Sequence, residues 1–227
     1  GYGFARELGW RAASGSYVAM IDSDVVIEPD FLGRAVDLME RDPGLGAVGG
    51  KLMPELSRGE NGILARFQTK NLLVILHQKD RVYPAATPGV STACTVYRRS
   101  ALEEVGGFSY KFALAKEDSD ITIKLMKRGY RLSLIDSRCR HLETGRRFWR
   151  TNFKYGRAYP VLAREHPDVA PLWTPKNVIM TAAALFPALQ PFVVGWYFRR
   201  YLRDGGLRPI EALEMSSVEA LRQFLRY

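Results

Sequence analysis

Only two cysteines, Cys94 and Cys139, occur in the 227 residues. Neither has a His or Cys partner at metal-ligand spacing. The pattern therefore predicts no zinc site and no disulfide framework, and a reducing compartment is the simpler reading. Cys94 reads as a small core residue of a strand, not a nucleophile. No basic segment followed by a short apolar run and a cleavage signal opens the chain, so nothing reads as a signal peptide. The first residues read instead as the middle of something, a helix running at once into a strand. Nucleic-acid-binding motifs are missing too, which argues against nucleic acid as a partner. What is present suits a folded protein: 47% apolar and 25% charged residues, in a chain long enough for one large domain or two small ones.

The net charge of +9 is unevenly placed. Up to Asp136, 18 basic residues face 17 acidic ones; from Ser137 onward, 15 face 7. The stretch from Arg138 to Arg164 carries Arg140, Arg146, Arg147, Arg150, Lys154 and Arg157 between its ends. Such a stripe attracts phosphates, whether of an anionic lipid surface or of a phosphorylated substrate.

The first part alternates helix and strand. Helical spacing over Phe4–Ala13 stops at Ser14-Gly15, and the strand-like run "SYVAMI" ends at Asp22. Pro29 opens a helix with Phe31, Leu32, Ala35, Val36 and Met39 on one face. A strand "LGAVGGKLM", an amphipathic helix over Asn61–His77, a strand "STACTVYRR" and a short helix ending at Gly106-Gly107 follow. A helix from Glu117 is capped by Gly129 and leads into a further strand. This alternation predicts an α/β domain with a mostly parallel sheet and helices on both faces, in which reacting groups gather where strands end and helices begin. The last third differs. Val178 to Phe198 is apolar and uncharged, about 21 residues or roughly 31 Å as a helix, enough to cross a bilayer. Pro187 and Pro191 allow the other outcome, a broken hairpin.

Asp-Ser-Asp occurs twice, as Asp22-Ser23-Asp24 after a strand and as Asp118-Ser119-Asp120 at a helix start. Paired carboxylates there can hold Mg²⁺ or Mn²⁺ with substrate phosphates, supply a general base, or cap a turn. By itself D-x-D is too common to choose.

The surroundings are more specific. "ARELGWRAASGSYVAMIDSDVVIEPDFL" resembles the central motif of family 2 glycosyltransferases. "TACTVYRRSALEEVGGFSYKFALAKEDSDITIKLMKRGYRL" resembles that family's second block, with R-R, G-G-F, E-D and R-G-Y in order. "RFWRTNFKYGRAYPVLAREHP" is similar to the region after the catalytic core in membrane-bound exopolysaccharide glycosyltransferases. The resemblance implies a GT-A fold (Rossmann-like) and an inverting, metal-dependent transfer of a sugar from a nucleotide-sugar. It implies Asp22 near the donor's ribose or sugar and with Asp24 on the metal, and Asp118 as the general base with Glu117 before it on the acceptor side, leaving Asp120 a first-turn structural acid. His141 completes the metal shell or is structural. Arg6 faces the nucleotide phosphates or makes a helix-surface ion pair. Arg98 and Arg99 face the acceptor or end a solvated strand.

Two departures stand out. Glu7 occupies the family's usual Asn position. The family's opening strands, which read the base, are not in the chain, so it reads as a fragment lacking much of the nucleotide-binding half. The Q-x-x-R-W signature of processive synthases is also absent, favouring single-sugar transfer. The expected organisation is part of a GT-A catalytic domain over 1–142, a basic amphipathic segment over 143–175, and a hydrophobic, membrane-associated helix or hairpin with its tail over 176–227. The expected partners are a nucleotide-sugar donor, a lipid-linked saccharide or similar acceptor, and lipids of the cytoplasmic membrane, with the catalytic part facing the cytoplasm. Rival readings are a polyprenyl-phosphate sugar synthase and a non-catalytic membrane-bound scaffold.

Overall fold

The computed structural model describes residues 1–55, 90–142, 148–170, 174–175, 178–179, 182, 186–205 and 208–224. The helix expected over Asn61–His77 lies outside them. Five described strands form one sheet: β1 (Tyr17–Ile21), β2 (Val25–Val26), β3 (Leu45–Pro54), β4 (Cys94–Arg98) and β5 (Arg131–His141). Their spatial order is β1-β4-β3-β5-β2. The helices are α1 (Tyr2–Ala12), α2 (Phe31–Arg41), α3 (Arg99–Glu104), α4 (Glu117–Lys127), α5 (Phe148–Glu165), α6 (Gln190–Gly205) and α7 (Pro209–Phe224).

Helices do cover both faces. Strand side chains alternate, so Val48 and Val96 turn to α2 with Phe31, Ala35 and Met39. Their neighbours Ala47 and Tyr97 turn the other way, joining Trp10 of α1, Leu102 of α3 and Ile121 and Leu125 of α4. The sheet is not mostly parallel, however. Among the described pairings β3–β5 is parallel, while β1–β4, β3–β4 and β2–β5 are antiparallel. β1, β3 and β5 share a direction and β4 runs against them. One helix, α2, separates β1 from β3 and returns the chain to the same end; two, α3 and α4, separate β4 from β5. Alternation alone does not count those reversals.

The two cysteines correct a second expectation. β4 and β5 both border β3, and Cys94 and Cys139 meet across it in a disulfide with Cα atoms 6.6 Å apart. Gly50 lies beneath them: a Cβ there would sit 2.4 Å from the sulfur of Cys139 and 3.0 Å from that of Cys94. The reading of two reduced thiols thus loses its footing. A separation of 45 residues in sequence says nothing about two strands that flank a third.

The apolar run from Val178 does not make one long helix. Pro187 begins a single 3₁₀ turn, Pro187–Leu189, and α6 starts only at Gln190, with Pro191 in its first turn, where a missing N–H costs nothing. No described helix is long and apolar enough to cross a membrane. α6 and α7 instead pack together through Val193, Tyr197, Tyr201, Ala212, Met215 and Val218.

Candidate active site

The C-terminal ends of β1, β3 and β5 lie at one edge of the sheet, where the first Asp-Ser-Asp is found. The chain turns at Asp22, whose carbonyl accepts from the Val25 N–H at 3.0 Å. The Asp22 N–H donates to the Ala93 carbonyl at the start of β4. The Asp24 carbonyl accepts from the Leu142 N–H at 2.8 Å, tying the turn to the end of β5. This pins β2 against β5, with Val25 opposite His141. His141 Nε2 consequently stands 3.5 Å from Asp24 Oδ1.

Arg6, one turn into α1, reaches the same edge. Its guanidinium lies 2.9 Å from Asp22 Oδ1 and 3.2 Å from Glu117 Oε1. Arg6 and Glu117 are nearly buried, so the pair they make lies below the helix surface. Glu117 also takes a long hydrogen bond of 3.5 Å from the Thr92 hydroxyl. Burial raises the Glu117 pKa above its usual range; the Asp118 charge adds to this, and Arg6 opposes it. Below them Tyr97 is fully buried, and burial, reinforced by the charge of Asp118, holds its phenol far above its ordinary value.

The second Asp-Ser-Asp opens α4. Asp118 is half-buried, and its Oδ1 accepts from the N–H of Ser119 at 2.7 Å. Asp120 points the other way, buried and 2.8 Å from Nε2 of the buried His166, just beyond α5, as a structural acid should be. Lys116, immediately before Glu117, is the one described non-glycine residue with positive φ, at 74°. Holding a β-carbon-bearing residue in this left-handed region costs about 1 kcal/mol or more, and such strain gathers at functional sites.

Glu7 explains its own departure from the family pattern. It is buried and accepts from Trp10 Nε1 at 2.6 Å, the Phe108 N–H at 2.8 Å and Arg11 Nε at 2.6 Å. A Cβ on Gly107, at φ +65°, would stand 2.4 Å from its carboxylate. Glu7 thus clamps the Gly-Gly-Phe turn to α1.

Arg98 and Arg99 are not brought to this edge. Because β4 runs backwards, Arg98 pairs with Tyr17 at the start of β1, while Cys94 pairs with Ile21 beside Asp22. Arg98 donates to the carbonyls of Met39 and Leu45, and Arg99 to those of Ala13 and Gly15. Both tie neighbouring segments together at the far end of the sheet, away from Asp22 and Asp118. The residues that do reach the site from this segment are Thr92 and Ala93, which a parallel reading of β4 conceals. Among the described residues no three His, Cys, Asp or Glu side chains converge as a metal cage. Asp24 and His141 form a pair, and Asp22 is turned to Arg6.

A family model described as glycosyl transferase family group 2 matches residues 17–157. The chain is 28% identical over 130 residues to the N-acetylglucosaminyl-diphospho-decaprenol L-rhamnosyltransferase of Mycobacterium tuberculosis, a match covering 50% of this chain and 42% of that protein. It is 29% identical over 126 residues to the poly-beta-1,6-N-acetyl-D-glucosamine synthase of Staphylococcus aureus, covering 55% and 29%. The chain thus spans less than half the length of the curated relatives it matches. Its fold is similar to that of the mannosyltransferase PcManGT from Pyrobaculum calidifontis, solved with GDP-Man and Mn²⁺, with a TM-score of 0.53, 20% identity and coverage of 97% of this chain and 66% of that one. That likeness concerns the fold, a GT-A arrangement of mixed sheet and flanking helices. The model match covers more than half of the chain, which therefore belongs to glycosyl transferase family group 2.

Proposed function

We propose that the protein transfers a single sugar, with inversion, from a nucleotide-sugar to a lipid-linked saccharide or similar acceptor at a membrane surface. The observation that carries this reading is Arg6, which binds Asp22 and Glu117 at once and so sets both carboxylate blocks side by side. In the transfer, the acceptor oxygen bonds to the anomeric carbon as that carbon's bond to the diphosphate breaks. Asp118 takes the hydroxyl proton, and the nucleoside diphosphate leaves. Asp118 suits this role because it is half-buried, next to Glu117, and held by the first turn of α4.

Asp24 and His141 fit Mg²⁺ or Mn²⁺ as an incomplete donor set: one hard carboxylate oxygen and one imidazole, with substrate phosphates and water to fill the shell. A divalent ion held there would neutralise charge developing on the departing diphosphate. The Mn²⁺ in the similar mannosyltransferase supports a divalent ion here. The acceptor class is supported by the rhamnosyltransferase relative, whose name describes a diphosphate-linked lipid saccharide. The membrane surface is supported by the exposed apolar side chains of α6 and by the excess of basic residues after Asp136.

The test incubates the full-length protein and membranes with Mg²⁺ or Mn²⁺ and a panel of nucleotide-sugars. Metal-dependent release of a nucleoside diphosphate with sugar appearing in the lipid fraction is expected. No release with any donor, in protein shown to be folded, would sink the reading.

A further inference from the structure

β5 does not run evenly along β3. Gly50 pairs with Ile135, but the next residue, Lys51, pairs with Arg138. Asp136 and Ser137 are therefore two extra residues in β5, a bulge on the strand that ends at His141. The bulge decides what meets Asp24. In an unbroken register Pro54 would face Cys139, whereas it faces His141. His141 would then stand two residues, or roughly 6.6 Å, farther along the strand. The turn that carries Asp24 is anchored separately, by the Asp22 N–H on the Ala93 carbonyl beside β4. It could not follow such a slip without breaking that bond.

One side chain pins the bulge. Glu28, two residues after β2, accepts at Oε2 from the Ser137 hydroxyl at 2.9 Å and from the Arg138 N–H at 3.0 Å. Its own carbonyl accepts from the Phe31 N–H at 3.1 Å, where α2 begins. Ser137 is fully buried, so without Glu28 its hydroxyl would lose its acceptor away from water. Asp136 is a weaker anchor: it meets Lys51 at 2.8 Å with its own side chain 78% exposed. The segment from Asp24 to Glu28 thus grips β5 at both ends, at Leu142 through the Asp24 carbonyl and at Ser137 and Arg138 through the Glu28 carboxylate. His141 lies between the two grips, 3.5 Å from Asp24. Among the described residues no third His, Cys, Asp or Glu converges with that pair as a metal cage, so Glu28 reaches it through the strand.

We propose that Glu28 is a positioning residue for a divalent cation: by pinning the bulge of β5 it sets His141 against Asp24, so that the two can share one ion. The proposal rests on the reading of Asp24 and His141 as the metal pair. Groups that orient metal ligands govern affinity by about ten- to a hundredfold.

Mn²⁺ alone is the probe, titrated against the full-length protein and followed by the EPR signal of the free ion. Pulsed EPR of the bound ion reads the imidazole nitrogen. Wild type is expected to bind Mn²⁺ and to show a nitrogen coupling that His141→Ala lacks. Glu28→Ala should weaken binding by about tenfold or more and lose most of the coupling. Glu28→Gln keeps an acceptor oxygen in the same place, so it should bind within about threefold of wild type with the coupling intact. Ser137→Ala removes one of the two bonds from the other side and should weaken binding by about twofold or more. It carries the test should Glu28→Ala not fold. Wild-type affinity and coupling in folded Glu28→Ala, or in Ser137→Ala in its place, would overturn the proposal. Equal losses in Glu28→Gln and Glu28→Ala would overturn it too, by assigning the effect to the charge of Glu28. Wild type that binds no Mn²⁺, or binds it equally well after Asp24→Ala, removes the metal pair and this proposal together. If Asp24→Ala loses the ion while Glu28→Ala binds normally, only this proposal fails.

Discussion

Arg6 stands between Asp22 and Glu117, 2.9 Å from the first and 3.2 Å from the second. One guanidinium therefore joins the turn after β1 to the start of α4, elements almost a hundred residues apart. Removing it would leave Glu117 buried beside Asp118 with no counter-charge. Arg6→Ala is expected to destabilise the fold by about 3 kcal/mol, the scale for breaking a buried pair from one side. Arg6→Lys keeps a charge but cannot fork to both partners, so it should recover only part of the loss. Chemical denaturation checks both; a cost below about 1 kcal/mol for Arg6→Ala would show that the bridge holds nothing.

With Asp118 as the proposed base and Asp120 bound to His166, the two aspartates of the second Asp-Ser-Asp should fail differently. Asp118→Asn preserves shape and is expected to lower turnover by about 10² to 10⁴, the usual worth of a general base, with little change in melting temperature. Asp120→Asn weakens the bond to buried His166, so stability should fall by about 1 to 3 kcal/mol while turnover per folded molecule changes far less. Paired turnover and melting curves distinguish the two. The same profile in both variants would end the division.

Glu117 gives a pH signature. Burial raises its folded pKa above the ordinary 4.5, so the folded chain holds this proton more tightly than the unfolded one. That contribution to stability is complete below the unfolded value and is lost as pH rises through the folded value. Glu117→Gln has no proton to lose. The melting temperature of the variant minus that of wild type should therefore become more positive from about pH 4.5 toward neutrality. A constant difference across that range would remove Glu117 as the source.

Much of this site was legible because short motifs carry local geometry. A strand that ends at Asp22, a helix that opens at Glu117 and a glycine cap at Gly129 are written in neighbouring residues. What stayed hidden depends on distant pairing. The direction of β4 decides which of its ends meets the site, and so exchanges Arg98 for Thr92. Nor does the spacing of Cys94 and Cys139 reveal that both strands border β3. The bridging role of Arg6 and the clamp at Glu7 required knowing what lies opposite α1.

The cysteine pair can be checked directly. Alkylation of the unfolded protein before reduction, followed by digestion and mass analysis, should yield one peptide containing both Cys94 and Cys139. Closing a loop of this length is worth about 4 kcal/mol on the chain-entropy estimate, so reduction should lower the denaturation midpoint. Two fully alkylated cysteines before reduction would show that the sulfurs lie in contact without a bond.

The membrane reading turns on α6. Phe192 is 76% exposed and Trp196 47%, one turn apart on a single face, with exposed Leu189 preceding them and Arg199 following. An amphipathic helix of this kind lies in the plane of the interface, its apolar face among the upper acyl chains and its cations at the headgroups. Burying one such aromatic side chain is worth about 1.5 to 3 kcal/mol. Phe192→Ser with Trp196→Ser should then weaken the binding constant for anionic vesicles, read by co-flotation, by about a hundredfold or more, while far-UV dichroism stays unchanged. High salt should weaken the binding of wild type only in part, because screening acts on the basic contribution and leaves the apolar one. Equal flotation of the double variant would move the membrane contact away from α6.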